Sequence, residues 1–94
     1  MGGRARKRQK KLPWKLRRIR DAFEASQNQL IRLLGLEKQI EQTYISAYER
    51  GQLEPPLYIL LKYADLANVC LEILVRDEHD LPADIPAKEK FFSH

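Results

Sequence analysis

Apolar residues fall at helical spacing in five successive stretches, set apart by glycine, proline or short polar runs. In the first, Leu16, Ile19 and Phe23 mark one buried stripe, with Lys15, Arg17, Arg18 and Asp21 largely off it and Trp14 at the edge of the core. Pro13 suits a first helical turn, because its φ is fixed near the helical value and its missing donor is not needed there, so the helix starts near Pro13. In the second stretch Leu30, Ile31, Leu33 and Leu34 supply the core face. Ser26 and Gln29 form an S-x-x-Q capping box at its start, and Gly35 fits the left-handed position that ends it.

Leu36 to Gln39 read as an irregular or single-turn connection. From about Gln42 a third helix is anchored by Ile45 and Tyr48, with Ile40 and Tyr44 on compatible spacing, and Gly51 stops it. Pro55 and Pro56 bar its continuation and set the entry to a fourth helix, with Pro56 in its first turn. There the stripe is Leu57, Leu60, Leu61 and Ala64, and Asn68 takes the left-handed closing position. A fifth helix, about Leu71 to Arg76, gives Leu71, Leu74 and Val75 to the core and leaves Ile73 outward to meet a second subunit. The pattern predicts an all-α, five-helix domain over residues 13–77, with an arm at 1–12 and an irregular, acidic, proline-punctuated tail at 78–94. Phe91 and Phe92 in that tail are either a docking patch or part of a frayed end.

Composition changes this picture little, and charge changes it a good deal. Ninety-four residues, 44% hydrophobic, make one small core, and the most apolar stretches, LYILL and LEILV, fall far short of a membrane span. The basic N-terminus lacks the apolar segment of a secretory signal, so a cytoplasmic protein is expected, at the nucleoid if the host is bacterial. A single cysteine, Cys70, sits in an apolar pattern where a thiol packs. Of 17 basic residues, ten lie within the first twenty positions, where there is no acid; the remainder has seven against 13 acidic residues. A positive field concentrated at one end befits a polyanion-binding arm.

The candidate chemistry follows from that arm and from the second and third helices. A helical pair joined at a glycine in a small basic protein is a common way to hold one helix in the major groove. The residues left outward on the third helix are Gln42, Thr43, Ser46 and Ala47, a small polar face able to approach base edges. Gln27, just inside the second helix, is placed to face a phosphate, and Arg4, Arg6, Lys7, Arg8, Lys10 and Lys11 to lie along the backbone or in the minor groove. Catalysis is not indicated. The histidines are His79 and His94, Ser26 and Ser46 have no histidine partner set by spacing, and RDEHD around His79 reads as a solvated acidic turn. No metal or cofactor is expected.

From Leu16 to Leu74 the chain resembles the Cro/C1-type (XRE-like) helix-turn-helix transcriptional regulator family. The resemblance is carried by the arginine-rich first helix, SQNQL, LLGL, ISAYERG, a proline after a short loop, and LLKYADLANVCLEIL, in that order. It implies a lambda-repressor-like domain that binds double-stranded operator DNA as a homodimer, most often as a repressor. It also implies a base-facing role for Gln42, Thr43, Ser46 and Ala47, a backbone contact for Gln27, and a bridge between Arg20 and Glu49 from the first helix to the third. Three features depart from the family pattern: a longer interval from Gly35 to Gly51, Ile31 where a small alanine is usual, and Ala47 where a polar reader is common. The alternative is an antitoxin-like or other interaction module on the same scaffold, holding a protein partner through its tail; RNA binding through the arm comes third.

Overall fold

Five helices follow one another in a computed structural model that describes residues 10–89: α1 Leu12–Ala22, α2 Gln27–Leu34, α3 Gln42–Glu49, α4 Leu57–Ala67 and α5 Leu71–Val75. The domain is all-α. Arg4, Arg6, Lys7 and Arg8, expected on phosphate, and Phe91 and Phe92 lie outside the described residues. α1 packs on α3, α4 and α5, while α2 packs on α3 and α4. One core results, built from Leu16, Ile19, Leu30, Leu34, Leu36, Ile45, Tyr48, Ile59, Tyr63, Val69 and Leu74 among others.

The punctuation falls where local chemistry puts it. Ser26 accepts the Gln29 backbone N–H at 3.0 Å and Gln29 Oε1 accepts the Ser26 N–H at 2.8 Å, closing the capping box. Gly35, at φ 73°, takes the left-handed position after α2 that favours glycine. The connection that follows is a single closed turn, with the Gln39 and Ile40 amides bonded to the Leu36 carbonyl at 2.9 and 3.2 Å. It adds to the core, because Leu36 and Ile40 are buried. Asn68, at φ 58°, closes α4.

Several expectations about burial are corrected. Leu33 is exposed rather than in the core; at about 100° per residue it falls well outside the arc shared by Leu30, Ile31 and Leu34. In α4 the buried stripe is Ile59, Leu60, Tyr63, Ala64 and Ala67, which leaves Leu57 and Leu61 outside. That stripe continues past Asn68 into Val69, Ile73 and Leu74, so Ile73 is buried and offers nothing to a second subunit. Trp14 and Tyr44 are exposed too. Pro56 caps α4 from outside its first turn, and Arg76 caps α5 rather than ending it. α1 begins at the buried Leu12, next to Pro13, as the proline predicts.

Two polar clasps join the ends of the domain. The Lys15 ammonium, fully buried, donates to the carbonyls of Ile73, Arg76 and His79 at 2.7, 2.9 and 2.6 Å. These carbonyls leave α5 and the turn after it, so the lysine closes a helix C-terminus from another helix. In return Asp77 accepts the backbone N–H groups of Lys10 and Lys11 at 2.9 and 3.0 Å, in front of α1. The tail leans back on the body: Leu81 and Ile85 pack against the core, and the Ala87 amide bonds to the Ala67 carbonyl at 3.0 Å.

The Asp77 clasp gives a pH dependence. The amides of Lys11 and then Lys10 hold its carboxyl below the usual 3.8. A carboxylate depressed in the folded state adds stability that is present above its unfolded pKa and lost as pH falls through the folded one. The Lys10 and Lys11 amide resonances should therefore move together with the Asp77 carboxyl, at a pH below 3.8. A midpoint at or above that value, or none at these amides, would contradict the clasp.

Candidate nucleic-acid interface

The site begins at an ion pair between α1 and α3. Arg20 Nε lies 2.7 Å from Glu49 Oε2 and Nη2 lies 3.0 Å from Oε1, a two-point match of guanidinium to carboxylate. Arg20 Nη1 also donates to the Ala25 carbonyl at 2.9 Å, which ties the pair to the chain entering α2. The hydrogen bond that Arg20 donates to Glu49 is the first reason the arginine's pKa is raised, against the effect of its own burial. The bridge expected between Arg20 and Glu49 is therefore formed.

From Glu49 the polarity runs outward. A carboxylate only accepts, so Gln27, against Glu49 Oε1 at 3.2 Å, presents its Nε2–H to it. Its Oε1 is thereby turned to Gln42, whose Nε2 donates to it at 2.9 Å. One buried charge thus fixes two amide orientations in succession. The Gln42 Oε1 and second N–H have no partner among the described residues. An acceptor and a donor side by side on one amide are what the N6 and N7 edge of adenine takes up in the major groove.

Gln42 and Thr43 are exposed in the first turn of α3, and Ser46 and Ala47 are half-buried further along it. The polar face is thus most open at its N-terminal end. Gln27 is half-buried, and its side chain serves the network, leaving one amide N–H and the backbone at the start of α2 for a phosphate. Lys10 and Lys11 stand at the other end of α1 from Arg20, about 14 Å away at 1.5 Å per residue. The Lys11 ammonium there is 3.8 Å from Asp80.

Two residues of the site were not assigned to it from the sequence, where Tyr44 stood with the anchors of α3. Tyr44 is exposed beside Thr43, its ring 6.4 Å from that of Tyr48. Their spacing of four links the two rings, but only Tyr48 lies under the helix. Tyr63, fully buried, feels Glu49, Tyr48 and Arg20, and its hydroxyl has no hydrogen-bond partner among the described residues. Burial first, then the Glu49 charge, drives its pKa far upward. Leaving a buried hydroxyl unpaired costs about 1–3 kcal/mol, so Tyr63→Phe should stabilise the domain by about 1 kcal/mol. Thermal unfolding would read this as a rise of about 4–8 °C; a fall of similar size would mean that the hydroxyl is bonded in solution.

Among the described residues no group of three or more His, Cys, Asp or Glu side chains could hold a metal ion, and no helix is long and apolar enough to cross a membrane. The chain matches no family model, no curated protein and no solved structure.

Proposed function

We propose that the chain is a sequence-specific double-stranded-DNA-binding protein of the helix-turn-helix kind, with α3 as the element that enters the major groove. More particularly, we read it as a lambda-repressor-like regulator of the Cro/C1 type, acting as a repressor and binding as a homodimer. The observation that carries the reading is the ordered run Arg20–Glu49–Gln27–Gln42, which ends in an exposed amide with an acceptor and a donor to spare. Thr43 beside it, with Ser46 and Ala47 along the helix, completes the face offered to base edges. Residues 1–20, with ten basic side chains and no acid, supply the sequence-independent attraction to phosphate.

The homodimer follows from specificity. One eight-residue recognition helix reads too few base pairs to find a single site in a genome, and two copies double the information. Two such helices on successive major grooves lie about 34–36 Å apart. Footprinting on the DNA upstream of its own gene tests the reading. The expected result is a pair of protected half-sites one helical turn apart, with affinity falling by about 0.9 in log K per log salt for each phosphate contacted. No protected duplex at low salt would overturn it.

A further inference from the structure

The outer face of α4 is apolar where a solvent face should be polar. Leu57, Tyr58 and Leu61 are 61, 51 and 43% exposed, and Leu53, in the loop leading to the helix, is 42% exposed. Leu57 and Leu61 stand one turn apart with Tyr58 beside them, so the three form a continuous ridge. Lys62 and Asp65 continue the same exposed side toward the C-terminus, and Glu54 precedes the helix. We propose that this face is the homodimer interface, and that its occupant is α4 of a second copy, packed antiparallel about a two-fold axis beside Tyr58.

Area and charge both favour a second copy. Half-exposed, the three side chains of the ridge offer on the order of 250 Å² of apolar surface per copy. A standard interface buries about 800 Å² per partner, about two-thirds of it apolar in homodimers, so the ridge supplies about half of the apolar core required. A two-fold contact must be complementary to itself. With the axis beside Tyr58, each Leu57 faces Leu61 of the second copy, and each Lys62 arrives at the end where Glu54 of the second copy lies. Opposite charges then close both ends of an apolar centre. The inference rests on the DNA-binding reading only in that the reading calls for two copies.

Sedimentation equilibrium of the full chain without DNA tests it, alongside circular dichroism to follow the fold. The wild type should be a reversible dimer. Leu57→Glu with Leu61→Glu, at two exposed positions, should raise the dimer dissociation constant at least about a hundredfold with helical signal unchanged, since desolvating charges at the centre opposes association. Lys62→Glu alone should weaken the dimer by about tenfold, and adding Glu54→Lys should restore it. A wild type that stays monomeric at every concentration, a dimer untouched by the leucine changes, or a charge exchange that restores nothing would each overturn the proposal. Because no DNA is present, failure here leaves the footprint to judge DNA binding, and failure of the footprint leaves this result standing.

Discussion

Lys15→Met is expected to lower the stability of the domain by about 3–5 kcal/mol, a large share of the roughly 5–15 kcal/mol a small domain possesses. Methionine matches the length and apolar volume of the lysine stem, so the loss isolates the ammonium. Without it the carbonyls of Ile73, Arg76 and His79 lose their shared donor, the first of them at a buried position. Burial pushes the lysine's pKa below its ordinary 10.5 while Asp77 and Asp80 pull it back, so bringing this charge out of water carries a penalty. Removing it after the fold has closed around it carries a larger one, because the Ile73 carbonyl is left where water does not reach and the other two where it reaches only in part. Chemical denaturation with the slope unchanged and the midpoint lowered would read the effect; a loss below about 1 kcal/mol would mean that the three carbonyls find other donors.

Glu49→Ala should produce a loss of the same order, about 3–5 kcal/mol, because it strands a guanidinium that the fold has desolvated. The side chains of Arg20 and Glu49 are only 14 and 5% exposed. Arg17 and Asp21, 3.3 Å apart with 57 and 52% exposure, form the internal comparison: breaking that pair should change stability by no more than about 1 kcal/mol. Equal effects at the two pairs would contradict the burial argument. Glu49→Ala also removes the acceptor that orients Gln27, so the Gln27 and Gln42 side-chain amide resonances should shift while those of Asn68, bonded to Ala87, stay.

The sequence carried the helical frame because its punctuation is chemically specific: a reciprocal Ser26–Gln29 cap, Gly35 and Asn68 at left-handed positions, and Pro55 and Pro56 before α4. Faces were harder to read where the alphabet is uniform. In LYILLKYADLA two stripes share Leu60 and Ala64, and choosing between them needed Lys62 and Asp65 as markers of the solvent side. Reading those charges first would have put Tyr58 and Leu61 outside with them, since each stands one turn before one of the pair. Lys15 posed the opposite problem. With Leu12, Leu16 and Ile19 it completes a perfect helical stripe, yet its charge argued it off the core; only the fold shows the three carbonyls that receive it. The Arg20–Glu49 bridge came from the family resemblance, not from spacing, as the two residues are 29 apart in sequence.

The central claim is that Gln42, set by Gln27 and Glu49, reads a base. It is tested most directly by measuring the affinities of the wild type and Gln42→Ala for a duplex selected from a random pool and for its shuffled counterpart at one salt concentration. A lost two-point contact to adenine amounts to about 1–3 kcal/mol, so the variant should bind the selected duplex about 5 to 150 times more weakly and the shuffled one almost unchanged. Equal losses on both duplexes, or a pool that yields no preferred sequence, would contradict the account.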